Sequence, residues 1–255
     1  MSSRDGIGRR SWRDRRSSVA ARVSGQGDAG GRTGSTGAPG RYGRFWRPPD
    51  VSGAMKAIFN GDDTEVFERT GRDQAEVLAA LLPSADSVVV DIGCGIGRVA
   101  KYMAPHSKLL WAVDVSAEML TMAQERMSDQ QNVSYARCTD TRIPDIGDAS
   151  VDFVYSVLVL QHLEREDAFL MLREIRRMLR TGGLAYLTFP NLLSDVYLDS
   201  FVTYAESGEA AINPVRARIY TPQEVERLLP AAGLTVTELQ AGVEIIVQAE
   251  RPADS

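Results

Sequence analysis

The chain has 255 residues, a net charge of −5 and an isoelectric point near 5.2. With 44% hydrophobic residues it can bury the core of one large α/β domain. No apolar run approaches the roughly 20 residues that cross a bilayer, so we expect no membrane-spanning helix. Its two cysteines, Cys94 and Cys138, are too few for a disulfide framework and favour a reducing, cytoplasmic location.

The charge is divided unevenly along the chain. Residues 1–47 carry eleven arginines against three aspartates, for a net +8, and they hold ten of the 22 glycines. The remaining residues carry 18 basic and 31 acidic side chains, for a net −13. Because residues 1–40 have few aliphatic side chains, we predict a disordered arm there. The acidic body opposes a phosphate backbone, so we expect no nucleic-acid partner.

Strand-like and helix-like patterns alternate after Pro48. A capping box at 221–224 starts the last predicted helix, and a hairpin follows it. The alternation predicts an α/β, Rossmann-like, doubly wound sheet of seven mostly parallel strands with an antiparallel C-terminal hairpin. We divide the chain into the arm (1–40), a helical lid or cap (41–86) and the main domain (87–255). The predicted strands are 87–91, 109–113, 133–137, 151–155, 184–189, 234–239 and 243–247, and the predicted helices include 67–82, 98–104 and 166–179.

A glycine-rich loop, D-I-G-C-G-I-G at 91–97, leaves the first predicted strand and opens a helix. Glycines at this place let the backbone approach a ligand at a helix N-terminus. The dinucleotide fingerprint G-x-G-x-x-G fits poorly, because Arg98 occupies its third small position. Asp91 would repel a pyrophosphate and attract an ammonium, and Asp114 ends the second strand, where a carboxylate suits ribose hydroxyls. These features predict a nucleoside ligand with a cationic tail.

This combination resembles the class I S-adenosylmethionine (SAM)-dependent methyltransferases. The run D-A-S-V-D-F-V-Y-S at 148–156 is similar to the beginning of that family's fourth strand. The run L-R-T-G-G at 179–183 is similar to its L-[RK]-P-G-G turn, with Thr181 in place of proline. The resemblance covers about residues 72–247 and includes the reversed last strand. It implies SAM as cofactor and an enzyme of the bacterial small-molecule, natural-product tailoring type.

The resemblance also implies roles for individual residues. Gly93, Gly95 and Gly97 would line the methionine and ribose, Asp91 would hold the amino end, and Asp114 would accept the ribose hydroxyls. The other expected cofactor contacts are Val115 and Met119 beside the adenine, Thr139 and Asp140 after the third strand, Ser156 at the mouth of the fourth, and Arg72 toward the SAM carboxylate. We expect no metal, and we interpret Cys94 and Cys138 as packing thiols near the site.

A hydroxyl acceptor needs a base, and histidine is the usual choice near neutral pH. The chain has two histidines, of which His106 is predicted to lie on the surface. His162 follows the fourth strand, so it faces the edge of the sheet where such folds bind ligands. It is the candidate general base, with cofactor contact and a structural role as the alternatives. Tyr42, Phe45 and Trp46 are expected to lie where the chain begins to dock on the body. Tyr42, Trp46 and Phe59 are candidates for a lid over the site.

Residues 190–220 and the arginine content indicate the kind of acceptor. Residues 190–220 correspond to an insert that covers the acceptor in similar enzymes, and the aromatics Tyr197, Phe201, Tyr204 and Tyr220 suit a ring-bearing molecule. The 26 arginines against three lysines are typical of GC-rich bacteria, where such enzymes often modify secondary metabolites. We therefore predict O-methylation of a secondary metabolite or its attached sugar. The alternatives are N-methylation of an amino sugar or amino acid, and a non-catalytic SAM-binding module; a homodimer is left open.

Overall fold

A seven-stranded sheet organises the residues that this computed structural model describes, which are 41–59, 61–208 and 216–253. The strand order is β3-β2-β1-β4-β5-β7-β6. Strands β1 to β5 run parallel, and β7 lies antiparallel between β5 and β6. The predicted mostly parallel sheet with a C-terminal hairpin is therefore confirmed, whereas the predicted arm lies outside the described residues. The strands are β1 (Val88–Ile92), β2 (Leu109–Asp114), β3 (Val133–Arg137), β4 (Val151–Ser156), β5 (Leu179–Pro190), β6 (Thr235–Ala241) and β7 (Glu244–Glu250).

Helices cover the sheet on both faces, and several begin at side-chain caps. Ser116 accepts a hydrogen bond from the Met119 amide at 3.1 Å, and Thr221 with Glu224 forms the predicted capping box. None of the described helices is long and apolar enough to cross a bilayer. The helices are α1 (Val51–Phe59), α2 (Thr64–Ala79), α3 (Ala100–Met103), α4 (Ala117–Arg126), α5 (Arg165–Met178), α6 (Asp195–Ser207) and α7 (Pro222–Ala231).

Element boundaries differ from the predicted ones for identifiable reasons. Helix α2 begins three residues early because the Asp63 carboxylate caps the Val66 amide at 3.0 Å. Helix α3 has only four residues. The turns of the glycine loop continue as far as Val99, and a 3-10 turn that contains Pro105 begins at Ala104. Strand β5 begins at Leu179 instead of 184, because Leu179 pairs with Val151 of β4 and the Gly182 amide donates to the Arg251 carbonyl at 2.9 Å.

Three apolar clusters hold these layers together. One cluster fills the face under α5 and α7, and a second fills the face under α2, α3 and α4. The third is smaller and joins the N-terminal helices to the glycine loop and to α4. Its buried members are Ala54, Met55, Phe67, Ile96 and Met119. Helix α1 and the first turn of α2 are therefore packed on the glycine loop after β1, where the sequence predicts the site.

Candidate cofactor and acceptor site

The glycine loop lies at the carboxyl edge of the sheet between α1 and the turn after β4. Gly93 and Gly95 have φ values of 78° and 55°, which side-chain-bearing residues rarely adopt. A Cβ on Gly93 would lie 2.3 Å from Val159 Cγ2, and one on Gly95 would lie 3.2 Å from Ile58 Cδ1. The Gly93 amide donates to the Val113 carbonyl at 2.7 Å, which ties the loop to β2. The loop thus forms a narrow cradle that a side chain would fill.

Gly97 is required for a different reason. Its φ is 81°, and a Cβ there would lie 2.8 Å from Met127 Cε. This glycine therefore permits close packing of the loop against the end of α4, and its predicted contact with the cofactor stays a prediction.

The Asp114 carboxylate is buried and bridges the loop to β2. One oxygen accepts from the Gly95 amide at 2.9 Å, and the other accepts from the Ser116 amide at 2.9 Å. Burial raises the pKa of Asp114, and these backbone hydrogen bonds oppose that rise. Each carboxylate oxygen can accept a second hydrogen bond, so the predicted acceptance of ribose hydroxyls fits this geometry.

Asp91 is buried at the end of β1 and carries a strongly perturbed carboxyl. Burial raises its pKa to about 7, although the Tyr155 hydroxyl and the Arg98 guanidinium oppose the rise. Glu244, at the beginning of β7, also has a pKa raised by burial, and Arg98 opposes that rise too. One guanidinium thus faces two carboxylates, and a ligand ammonium would balance the remaining negative charge. Sequence reasoning noted Arg98 only as a misfit to the dinucleotide fingerprint.

Asp140 is the second carboxylate with capacity left for a ligand. Its φ is 53°, and its buried Oδ1 has no hydrogen-bond partner among the described residues. The neighbouring Thr139 is exposed and pairs with Arg142 in an isolated bridge. A ligand donor at Asp140 would satisfy the unpartnered oxygen, which fits the expected contact with an adenine amine.

Val115 and Met119 lie beneath the N-terminal segment. Met119 is 1% exposed and packs in the third apolar cluster. A Cβ on Gly43 would lie 2.9 Å from the Val115 carbonyl, so the segment before α1 passes directly over Val115. The predicted adenine contacts of both residues remain predictions.

Ser156 and Arg72 have protein partners in this structure. The Ser156 side chain is fully buried, and its hydroxyl donates to the Ile92 carbonyl at 3.2 Å, which links the ends of β4 and β1. Arg72 is exposed on α2, and its guanidinium stacks 5.1 Å above the Tyr102 ring. These contacts give both residues structural roles, and the direct cofactor contacts expected of them from the sequence stay predictions.

His162 lies at the same edge of the sheet as the glycine loop. It ends a 3-10 turn that begins at Leu160, directly after Val159, whose side chain packs on Gly93. The Trp46 ring meets the half-buried imidazole edge-on, with 5.0 Å between ring centroids. His106 is exposed in its turn, as predicted. His162 therefore lies beside the glycine loop, and its expected role as general base stays a prediction.

The N-terminal segment is fastened to α5. Tyr42 is 5% exposed; its hydroxyl donates to the Asp167 carboxylate and accepts from the Glu164 amide at 3.0 Å. Burial is the main reason that the pKa of Tyr42 rises to about 12. Tyr42 thus docks on the body, as expected of this part of the chain. Phe59 packs edge-on against Phe67, with 5.7 Å between centroids.

The aromatic residues of the insert divide into buried and exposed ones. Tyr220 is fully buried against Phe189, with 5.1 Å between ring centroids, and Tyr197 is also buried. Phe201 is 52% exposed on α6. Tyr220 therefore belongs to the core. The sequence alone did not distinguish it from aromatic residues that would line an acceptor pocket.

The two cysteines are buried and form no disulfide, as the interpretation as packing thiols requires. Burial raises the pKa of the Cys138 thiol to about 12, so it is not activated as a nucleophile. Within the described ranges, no cluster of three or more histidine, cysteine or acidic side chains is arranged to hold a metal ion.

Comparison with known proteins connects this geometry to a family. Residues 90–187 match the family described as "Methyltransferase domain". A malonyl-[acyl-carrier protein] O-methyltransferase of Pectobacterium atrosepticum is 28% identical over 165 residues, covering 64% of this chain and 57% of that protein. A ubiquinone/menaquinone biosynthesis C-methyltransferase of Rubrivivax gelatinosus is 30% identical over 169 residues, covering 64% and 65%. The chain thus spans less than two thirds of the length of these relatives.

A solved methyltransferase structure shares the fold of this chain. The crystal structure of magnesium protoporphyrin IX methyltransferase from Synechocystis PCC 6803, which contains S-adenosylhomocysteine, superposes with a TM-score of 0.56 at 17% identity. The match covers 75% of this chain and 88% of that one. Residues 90–187 thus match the methyltransferase-domain family, and the described residues share the fold of a solved methyltransferase with a bound product of SAM.

Proposed function

We propose that this class I SAM-dependent methyltransferase transfers a methyl group from SAM to a hydroxyl of a small molecule, on a secondary metabolite or its attached sugar. The observation that carries the proposal is the position of His162. It lies at the carboxyl edge of the sheet, joined through Val159 to the glycine cradle and covered by Trp46. A base at that place reaches a hydroxyl bound beside the cofactor site.

The residues around the cradle are suited to SAM. Asp91 would hold its ammonium, Asp114 its ribose hydroxyls and Asp140 the adenine amine, while Gly93 and Gly95 admit the ligand close to the backbone. SAM, when bound, supplies a methyl group already activated on a sulfonium sulfur. The protein therefore contributes mainly orientation and removal of the acceptor proton.

His162 accepts that proton in this proposal. The imidazole takes the hydroxyl hydrogen as the new C–O bond forms and the C–S bond breaks, which leaves a neutral thioether. The surrounding residues would keep water out: Trp46 lies on the imidazole, and Tyr42 fastens the segment that carries it to α5. We therefore propose that residues 41–86 act as the lid of the site.

Replacement of His162 tests the base directly. In His162→Gln, we expect kcat to fall by about 10²- to 10⁴-fold, the usual contribution of general acid–base catalysis, with unchanged affinity for SAM. The measurement is mass spectrometry of a product 14 Da heavier than the acceptor, together with calorimetric titration of SAM. The exposed His106, changed to Gln, is the matched control. Near-normal turnover of His162→Gln would refute the base.

N-methylation is the second candidate, favoured by a buried and a half-buried carboxylate, Asp91 and Glu244, that share one arginine. Arg98 faces both Asp91 and Glu244, and either carboxyl group can accept a hydrogen bond from the N–H of an amine acceptor. A neutral amine carries its own lone pair and needs no base. Turnover of an amine acceptor that survives His162→Gln would favour this candidate.

A further inference from the structure

Gln161, which directly precedes the candidate base, makes an unusual pair of contacts. Its amide Nε2 lies 3.2 Å from the Leu158 carbonyl oxygen and 3.2 Å from His162 Nε2. Its amide oxygen Oε1 is buried and has no hydrogen-bond partner among the described residues. A buried amide oxygen without a partner is unfavourable, so something else must hold the side chain in this orientation.

The Leu158 carbonyl provides that constraint. A carbonyl oxygen can only accept a hydrogen bond, so the group that faces it must be the amide NH2 and not the amide oxygen. Leu158 is itself held in place, because its amide donates to the Thr188 hydroxyl of β5 at 2.9 Å while its φ is 62°. The turn after β4 therefore presents its carbonyl to Gln161 and fixes which end of the amide faces His162.

This orientation determines the protonation of His162. An amide NH2 donates hydrogen bonds, so the His162 Nε2 atom that faces it must offer a lone pair. The neutral imidazole then carries its proton on Nδ1. A proton on Nε2 would place two donors against each other unless the Gln161 amide turned and gave up its bond to Leu158.

We propose that Gln161 is a positioning residue that holds His162 with Nε2 unprotonated, the state in which it can accept a proton. The inference rests on the proposed function, because it concerns the same base. An acceptor hydroxyl that takes the place of the Gln161 amide at His162 Nε2 meets there the lone pair that receives its proton.

Arg218 and Glu164 form an ion pair beside the His162 backbone. Arg218 donates to the His162 carbonyl at 3.3 Å and is paired with Glu164, whose pKa is lowered chiefly by that arginine. Arg41 lies 3.9 Å from Glu164 on the N-terminal segment, and Trp46 covers the ring without charge. The Gln161 amide, in contrast to these groups, is neutral, and it faces the imidazole nitrogen directly.

Nitrogen NMR of histidine-labelled full-length protein tests the proposal without any acceptor. The chain has two histidines, and the His106→Gln variant assigns the signals of His162. At neutral pH we expect the Nε2 signal to have the chemical shift of an unprotonated nitrogen and the Nδ1 signal to have that of a protonated nitrogen. A protonated Nε2 in the neutral ring would overturn the proposal, and this measurement stands even if the variants below fail to fold.

The variants Gln161→Glu and Gln161→Leu separate positioning from packing. A carboxylate accepts from an Nε2–H and favours the imidazolium, so Gln161→Glu is expected to move the His162 titration and the acidic limb of the kcat profile up by about one pH unit. Gln161→Leu should give a mixture of the two neutral tautomers. Unchanged titration in Gln161→Glu would overturn the proposal.

Gln130 offers a matched control. It also donates through Nε2 to a backbone carbonyl, that of Lys101 at 2.8 Å, and its Oε1 is likewise buried without a partner among the described residues. Gln130→Glu should leave the His162 signals unchanged. If the tautomer is as expected but no methyl transfer from SAM is found with any acceptor, the proposed function fails while the role of Gln161 in holding His162 stands.

Discussion

Gly93→Ala is the substitution whose cost can be worked out most completely from the structure. The left-handed backbone, with φ of 78°, costs an alanine about 1–2 kcal/mol. The new Cβ would lie 2.3 Å from Val159 Cγ2 and 2.6 Å from Cγ1, far inside ordinary contact. Valine is stiff about χ1, so overpacking adds about 1–3 kcal/mol. We expect a total loss of about 2–5 kcal/mol in the free energy of unfolding.

Two further variants divide this total into its parts. Gly208 has a similar φ of 71° but nothing within 4 Å of its Cβ position, so Gly208→Ala should cost about 1–2 kcal/mol, the backbone contribution alone. Combining Gly93→Ala with Val159→Ala removes both methyl groups that clash. The double variant should therefore lose less free energy of unfolding than the sum of the two single losses. Urea denaturation of Gly93→Ala, Gly208→Ala, Val159→Ala and the double variant measures all four losses. Equal losses in Gly93→Ala and Gly208→Ala would refute the steric reasoning.

Three other predictions follow from buried polar groups. Since the pKa of Asp91 is raised to about 7, its contribution to stability is complete below pH of about 4 and is lost as the pH rises through 7. Asp91→Asn should flatten the fall in unfolding free energy between about pH 4 and 7 measured by urea denaturation, and an unchanged slope would contradict this. Tyr42→Phe removes the hydroxyl that bonds to Asp167 and Glu164, so we expect a loss of about 1–3 kcal/mol by the same assay; no loss would show that the segment is fastened otherwise. Asp140→Asn keeps a residue that tolerates positive φ, so stability should be retained while SAM affinity by calorimetry falls about tenfold; unchanged affinity would exclude Asp140 from the cofactor site.

The sequence predicted the fold because its signals are local and repeated. Alternating strands and helices indicated the parallel sheet, and the spacing at 241–242 indicated the hairpin. The boundaries were less accurate where tertiary contacts decide them. Strand β5 begins early because Leu179 pairs with Val151 of β4, which is distant in sequence.

The site was predicted in outline and not in its contacts. The glycine loop, Asp114 and His162 follow from their positions at strand ends, which the topology brings to one edge. Arg98 and Gln161 were not predicted as functional, because their significance depends on which carboxylates and carbonyls they face across the fold. The proximity of Gln161 to the candidate base was the available signal. Ser156 was expected at the cofactor, but its hydroxyl bonds to the Ile92 carbonyl, a contact that a strand pattern does not reveal.

The central claim is that the glycine loop and Asp114 form a SAM site. Calorimetric titration of SAM into the full-length chain tests it most directly, because no acceptor is needed. We predict one-to-one binding that weakens about tenfold or more in Asp114→Ala, with no binding of a nicotinamide dinucleotide. Absence of SAM binding by the folded wild-type protein, or equal affinity in folded Asp114→Ala, would contradict the account.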